Sequence, residues 1–267
     1  MLHSFVHHLK IYGAFCRNSL IKQMTYRANF FLMILVECMF LLWKLLYTFI
    51  VSGTGVSLNG INSDKMFLFS GSFLLMTGIY LAFFFYNFSN IQQLVGEGAL
   101  DLYMTKPVSL QFMVTLRNVD TGTPIPNILG GLVILIHGWR KAEIPVDFVH
   151  IAGYLLFFVC GLVTAYSVML APQLLSFILI RGSALREISD ALWDTNSMPM
   201  TIYAKGIQLV GSYILPLFVI SNYATMFILG RLTPLTCLWG LLAPVVFLFL
   251  VRLLWKCMLK HYSSASS

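Results

Sequence analysis

Charge is the scarcest property of this chain. Only 10% of its 267 residues are Asp, Glu, Lys or Arg, whereas 58% are hydrophobic, and soluble domains carry roughly 25% charged residues. So few charges cannot cover the surface of a water-soluble fold, which excludes an ordinary globular protein. The net charge of +7 therefore indicates basic loops at an anionic lipid surface, and we expect no nucleic-acid partner.

The chain also lacks the local motifs of common catalytic and metal centres. It has no phosphate-binding GxxxxGK[ST] loop, no HExxH helix and no GxSxG turn. Its five cysteines form no CxxC pair, which favours small buried side chains over zinc ligands or disulfides. His3 and His7 have ligand spacing, but no carboxylate or cysteine completes a site. The sequence therefore predicts no catalytic residue and no metal site.

Long apolar runs are what the chain has in place of charge. A helix needs about 20 apolar residues to cross the hydrocarbon layer. The third run is short, and the fourth is too long for one straight span, so we expect Pro172 to break or kink it. Pro216 and Pro244 lie inside the last two runs, where neighbouring helices can satisfy the freed carbonyls. The predicted spans are Phe30–Val51, Met66–Phe88, Ile125–Trp139, Val149–Ile180, Ile202–Leu229 and Leu235–Leu254.

The segment 2–21, ahead of the first span, has a different pattern. Lys10 and Arg17 fall on one side of a helix, opposite a row of apolar residues at every third or fourth position. This pattern predicts an amphipathic helix that lies in the membrane interface. A cytosolic helix packed on the bundle would show the same pattern. The apolar row is Leu2, Phe5, Leu9, Tyr12, Cys16 and Leu20.

These runs predict an all-α integral membrane fold. It has six transmembrane helices and an N-terminal interfacial helix, in one domain over residues 1–267. If the N-terminus is cytosolic, most Lys and Arg residues fall in inside segments, as Lys106 and Arg252 do, and few fall outside, as Arg140 does. The positive-inside rule then places both termini in the cytoplasm.

Small residues recur at helical spacing in two of the spans. Gly78 with Ala82, and Gly161 with Ala165, are small-xxx-small pairs, which permit close helix packing. Apolar helices also contain such pairs by chance, so the signal is weak.

Two ionisable residues interrupt the first span. Glu37 and Lys44 are seven positions apart, so they share a helix face at a separation of about two turns. A charge at mid-bilayer costs about 3 kcal/mol on insertion scales, so such residues usually face protein or water. They indicate a polar patch on a substrate path or a subunit interface. Alternatively, Lys44 snorkels to the outer surface while Glu37 bonds to a neighbouring helix.

A compact polar stretch, Gln92–Val108, separates two apolar runs. Glu97, Gly98 and Asp101 favour a turn into a short helix, with Asp101 early enough to interact well with its N-terminal dipole. Pro107 then ends the helix. A short acidic helix joined tightly to a span is what a coupling element requires, although a solvated connector without a partner would look the same.

Three stretches carry a family resemblance. Residues 97–108, EGALDLYMTKPV, resemble the E-G-[TA]-L-[ED]-x-[LY]-[LM]-x-[KT]-P-[VL] signature in the first cytoplasmic loop of type 2 ABC exporter permeases. Residues 255–266, WKCMLKHYSSAS, are similar to the ending of the six-span ABC-2 family transporter proteins. Residues 214–232 resemble the fifth span of that family, with Tyr223 where the family often has Pro.

The resemblance implies the permease subunit of an ABC exporter in a bacterial plasma (inner) membrane. Such permeases have no ATPase of their own and form homo- or heterodimers. Each docks on a separate nucleotide-binding ATPase subunit, which holds ATP and Mg, so no cofactor is expected in this chain. The implied cargo is amphipathic or hydrophobic: a drug, a peptide or a lipid-like molecule. The loop spans about 89–123, and the matching coupling residues are Glu97, Gly98, Leu100, Asp101, Tyr103 and Pro107.

Two other function classes compete with this interpretation. An ion-coupled secondary transporter would need carboxylates inside several spans, and only Glu37 qualifies. A non-transporting assembly subunit of a membrane complex would need no transport path at all. ATP-dependent flux would favour the exporter, and flux driven by a pH gradient alone would favour the secondary transporter.

Overall fold

The computed structural model describes residues 2–53, 63–179 and 183–262, and every regular element in them is helical. This confirms the all-α class. Short 3₁₀ turns lie at Leu175–Phe177, Thr195–Ser197 and Met200–Ile202, and π-helical turns at Leu81–Phe85 and Val210–Ile214. The α-helices are α1 (Leu2–Thr25), α2 (Arg27–Gly53), α3 (Ser63–Tyr80), α4 (Tyr86–Ser89), α5 (Ile91–Gly96), α6 (Leu100–Met104), α7 (Leu110–Leu116), α8 (Pro124–Lys141), α9 (Phe148–Leu174), α10 (Ser183–Asp194), α11 (Lys205–Leu209), α12 (Leu217–Ile228) and α13 (Pro234–Leu259).

Four stretches among the described residues are helical, long and apolar enough to cross a membrane. They correspond to the predicted first, second, fourth and sixth spans, and the bent pair α11–α12 is a fifth candidate. The predicted third span forms α8, whose 18 residues are about 27 Å long. α8 is not among the four, so its length and composition alone do not qualify it as a crossing. The four stretches are Arg27–Gly53, Asp64–Gly96, Phe148–Phe177 and Pro234–Leu259.

The helix α1 extends beyond the predicted segment 2–21 and ends at Thr25. A single residue, Tyr26, separates it from α2. The side chains of residues 2–9, including those of His3 and His7, lie outside the described part of the structure. Over the described residues, Lys10 and Arg17 are exposed and Tyr12 and Cys16 are half-buried. The apolar side of α1 therefore faces the protein more than its basic side does.

The fourth predicted span is a single helix up to Leu174. Asp147 begins it as an N-cap, since its carboxylate accepts a 2.8 Å hydrogen bond from the His150 amide. This backbone bond first, and the His150 ring second, hold the pKa of Asp147 below its ordinary value. Pro172 lies inside the helix, so the break falls just after the proline, where a 3₁₀ turn follows.

The fifth predicted span, Ile202–Leu229, is not one continuous helix. α11, with its π-helical extension to Ile214, and α12 are bent by 102° at a break between them. Leu215 is extended at the break, with φ −121° and ψ 92°, as expected for a residue before proline. Pro216 also lacks the N–H that would continue the helix. The fifth predicted span is therefore broken at Pro216 into α11 and α12.

α3 and α8 run antiparallel with their backbones in contact. A Cβ added to Gly131 would lie 2.6 Å from the backbone nitrogen of Leu75, and one added to Gly138 would lie 2.7 Å from that of Leu68. No side chain fits at such distances, so glycine is required by the close approach. Each helix presents its glycines two turns apart. The glycines on this interface are Gly71, Gly78, Gly131 and Gly138.

The main core lies where α3, α9, α12 and α13 meet. On α9, Gly161 has no room for a Cβ because the Ile220 carbonyl of α12 lies against it. α2 contacts this bundle along one face, where the Thr48 hydroxyl donates a 2.9 Å hydrogen bond to Ser70. The other faces of α2 expose large apolar side chains. The largest fully buried side chains include Phe88, Met169, Phe218, Ile220 and Tyr223.

We predict that Gly131→Ala destabilises the protein by about 1–3 kcal/mol, because the new methyl group forces two backbones apart. Gly13→Ala is the matched control, since nothing lies within 4 Å of a Cβ added at that exposed helical position. Thermal unfolding in detergent measures the effect. Equal midpoints for the Gly131 variant and the natural chain would contradict backbone contact between α3 and α8.

Candidate functional site

The polar stretch after the second span folds as two short helices joined by a tight turn. α5 ends at Gly96 and α6 begins at Leu100. Between them Gly98 has φ +67°, a left-handed conformation that glycine adopts without strain. Pro107 follows shortly after the end of α6. The predicted turn into a short helix is therefore present.

α6 is held to the bundle by its inward face. Leu100 is 0% exposed and belongs to the main hydrophobic core. Tyr103 is half-buried, packs against the same core, and carries the guanidinium of Arg117 at 5.0 Å from its ring centroid. A helix of five residues has little stability of its own, so these contacts fix its position.

Asp101 connects α6 to the end of the chain. Burial first, and the neighbouring Asp101 carboxylate second, raise the pKa of Tyr262. The Tyr262 ring lies 6.2 Å from that of Phe177, which in turn lies 5.9 Å from that of Trp255. Leu100 of α6 shares the main hydrophobic core with these aromatic rings at the ends of α9 and α13.

The outward face of α6 exposes apolar side chains. Leu102 is 70% exposed and Met104 is 45% exposed. Glu97 is also exposed, and the Gln93 amide donates a 2.8 Å hydrogen bond to its carboxylate. We call Glu97, Leu102 and Met104, together with the exposed Pro107, the coupling patch.

The structure divides the six predicted coupling residues between two roles. Gly98 forms the turn, and Leu100, Asp101 and Tyr103 face inward, so they position the helix. Of the six, Glu97 and Pro107 are on the coupling patch. Sequence reasoning missed Leu102 and Met104. The signal was present, because the inward residues Leu100 and Tyr103 are three positions apart and leave Leu102 on the opposite face.

Glu37 and Lys44, in the first span, both have partners inside the protein. The Asn127 amide of α8 donates a 2.8 Å hydrogen bond to the Glu37 carboxylate. The Lys44 ammonium donates a 3.0 Å bond to the Ser197 carbonyl and lies 5.0 Å from the centroid of the Phe73 ring. The two residues thus tie α2 to different parts of the bundle and do not pair with each other.

Polar side chains fill the bundle around the broken fifth crossing. The Ser221 hydroxyl donates to the Asn196 carbonyl at 3.2 Å, and the Asn222 side chain accepts from the Met200 amide at 2.8 Å. The Ser72 hydroxyl of α3 donates to the Ser221 carbonyl at 3.4 Å. The first two bonds satisfy backbone groups that the irregular segment 195–203 leaves unpaired, as an apolar environment requires, and the third ties α3 to α12.

The described residues bring together no group of three or more His, Cys, Asp or Glu side chains that could hold a metal ion. Their chemistry is that of a packed polar network and an exposed patch.

Comparison with known proteins gives one match. The family model described as ABC-2 family transporter protein matches residues 32–266. No curated protein and no solved structure matches the chain. The matched range begins within α2 and contains Glu37, Lys44 and the whole coupling patch, but it leaves out α1.

We predict that Lys44→Leu loosens the segment 195–203, because the Ser197 carbonyl loses its donor. Insertion of the first span should become more favourable, by about 3 kcal/mol on insertion scales. Hydrogen exchange in lipid nanodiscs measures the first effect, and a glycosylation-tag insertion assay measures the second. Lys44→Arg keeps a charged donor and serves as the control. Unchanged exchange in the leucine variant would show that this contact does not hold the segment.

Proposed function

The chain belongs to the ABC-2 family of transporter proteins and is a membrane permease component of an ABC transporter; we propose that it serves export and is driven by a separate ATPase subunit. Membrane components of this family are in general non-catalytic. On this proposal ATP and Mg²⁺ are bound by the partner chain, and this chain contributes the path and the mechanical contact.

The observation that carries the proposal is the two-sided α6. Its outward side exposes Leu102, which is 70% exposed. Its inward side inserts Leu100 into the core that α3, α9, α12 and α13 share. An ATPase that binds the coupling patch would therefore displace the core helices as well, because the close-packed Leu100 side chain connects α6 rigidly to them.

Six crossings follow if α8 is counted with the five candidates. α8 lies against the backbone of α3 from Leu68, opposite Gly138, to Gly78, opposite Ile128. Because α3 belongs to a crossing, a helix in contact along that whole length traverses the same layer. An even number of crossings puts both termini on the same side of the membrane. The distribution of Lys and Arg favours the cytoplasmic side of a bacterial plasma membrane. α1 then lies at the inner interface, joined to α2 by Tyr26.

The exposed faces of α2 support a second permease copy or a sibling chain as partner. None of the most hydrophobic stretch of Arg27–Gly53 is buried within one chain. Lipid and a second permease together would cover it, and a path between two chains suits an amphipathic or hydrophobic cargo. Glu37 and Lys44 supply polar groups on the face of α2 that turns toward the bundle.

The two competing functions have less support. In the four candidate spans that the structure describes, Glu37 is the one Asp or Glu residue that does not lie at an end. Its carboxylate already accepts a hydrogen bond from the Asn127 side chain. An ion-coupled transporter needs such groups in several spans. An assembly subunit without a transport path would have no need of a coupling patch. Cargo flux that requires ATP, in vesicles without a pH gradient, separates the exporter from both.

We predict that Leu102→Asp abolishes co-purification of the ATPase, because it places a charge in the middle of the proposed contact. Val146→Asp is the matched control, because Val146 is 78% exposed, against 70% for Leu102. Val146 follows the C-terminal end of α8, away from the coupling patch. Both variants should insert and unfold like the natural chain. Retention of the ATPase by the Leu102 variant would refute the proposed docking surface.

We predict that Glu97→Ala and Asp101→Ala uncouple transport from hydrolysis. The ATPase should still bind and hydrolyse ATP, while flux of a fluorescent amphipathic dye from reconstituted vesicles falls about tenfold. Glu143→Ala, an exposed residue just beyond the opposite end of α8, is the control. Unchanged flux in both variants would count against a coupling role for this helix.

A further inference from the structure

A cavity of about 400 Å³ lies where the end of α1, the first turns of α2, the helix α4 and the segment 118–123 meet. These elements surround an end of two crossing stretches, Arg27–Gly53 and Asp64–Gly96. The cavity is therefore at the boundary between the apolar layer and the polar side that carries the coupling patch. Residues 2–31 lie outside the matched family range, so part of the cavity wall is built by a segment that the family match does not include.

The wall between α1 and the segment 118–123 is fixed by Gln23. Its side-chain nitrogen donates a 3.0 Å hydrogen bond to the Val119 carbonyl, and its side-chain oxygen accepts bonds from the Thr121 amide at 3.2 Å and hydroxyl at 2.6 Å. The Ser19 hydroxyl accepts a further bond from the Val119 amide at 3.1 Å. These bonds make the cavity a preformed one.

The lining changes from polar to apolar. Lys22 and Asn90 contribute charged and amide groups, whereas Phe30, Met33 and Tyr86 contribute apolar surface. Phe30 and Met33 lie on the first turns of α2, so the apolar part of the lining leads along that helix into the layer that it crosses. A ligand that fits this lining has a polar head and an apolar tail.

The charges of the lining favour a phosphate-bearing head. Asp120 is 8% exposed, and its carboxylate accepts hydrogen bonds from the Gly122 amide at 2.9 Å and from the Thr123 hydroxyl at 2.6 Å. Its hydrogen-bonding capacity is thus used locally, at the start of α8. Lys22 is exposed and has no carboxylate within ion-pair distance in the described part of the chain. Of the two charged side chains in the lining, the Lys22 ammonium is therefore the exposed one, whereas the Asp120 carboxylate is buried.

We propose that this cavity binds one membrane glycerophospholipid, with the phosphate at Lys22 and an acyl chain along Phe30, Met33 and Tyr86. Its volume is within the range of about 300–1,000 Å³ that holds small-molecule ligands. It therefore takes the headgroup, the glycerol and the first part of one acyl chain, while the rest of the chains continue along the exposed apolar face of α2. Lipid binding at this site requires neither ATP nor cargo, so it can be tested independently of the proposed export function.

Native mass spectrometry of the full-length chain, released from detergent with defined additives, tests the proposal. We expect retention of one dioleoylphosphatidylglycerol per chain. Dioleoylglycerol, which lacks the phosphate, and glycerol phosphate, which lacks the acyl chains, should not be retained. Lys22→Gln should weaken phosphatidylglycerol binding about fivefold, the effect of one basic side chain near a membrane surface. Lys10→Gln, at an exposed position on the same helix, should leave it unchanged.

A second variant guards the test against unspecific effects. Asn29→Asp adds a negative charge to an exposed position on the cavity lining and should weaken binding to a similar degree without affecting folding. Equal retention by the natural chain, the Lys22 variant and the Asn29 variant would overturn the proposal. Equal binding of glycerol phosphate would overturn the lipid as its source, and equal binding of dioleoylglycerol would overturn the role of the phosphate.

Discussion

The backbone contact between α3 and α8 is the constraint on which the rest of the bundle depends. In lipid, apolar surface alone does not drive helices together, so close packing and hydrogen bonds decide which helices pair. Glycines on both helices allow that packing, and the Lys141–Asp64 pair at 3.2 Å closes one end of it. α2 is attached to this pair, since Glu37 accepts its hydrogen bond from α8. α3, α8 and α2 therefore form one unit, against which the remaining helices are placed.

The sequence was a good guide wherever a single helix decides the outcome. Apolar runs located the four stretches that are helical, long and apolar enough to cross a membrane, and the turn at Gly98 followed from local chemistry. The three interior prolines show where such reasoning ends. Pro172 and Pro244 lie within continuous helices, whereas Pro216 separates two helices at 102°. The residue type is the same, so the difference comes from its surroundings. The Ser212 carbonyl, four residues before Pro216, accepts a 2.7 Å hydrogen bond from the Trp239 side chain, as an interrupted backbone in an apolar environment requires.

The features that sequence reasoning missed depend on partners that are distant in the chain. Gly78 was noticed through its i,i+4 pair with Ala82, but the contact it serves is built from glycines seven apart on two helices, which only the pairing of those helices reveals. Gln23 looks like any polar residue of α1, yet it bonds to residues 96 and 98 positions away. Leu102 was also missed, but the periodicity of α6 alone is enough to place it on the outward face.

A helix bundle that transmits motion needs both rigid parts and parts that deform. The contacts within this chain indicate which parts are of each kind. Leu100 packs α6 tightly into the main core, which also contains the aromatic rings of Phe177, Trp255 and Tyr262 at the ends of α9 and α13. α9 is helical from Phe148 to Leu174, so a displacement at its end is carried along its length. The segment 195–203 has only short helical turns held by side-chain hydrogen bonds, and such regions open at lower cost than packed helices. If α6 transmits motion as proposed, we expect the segment 195–203 to yield first, and Lys44 contacts the Ser197 carbonyl in that segment.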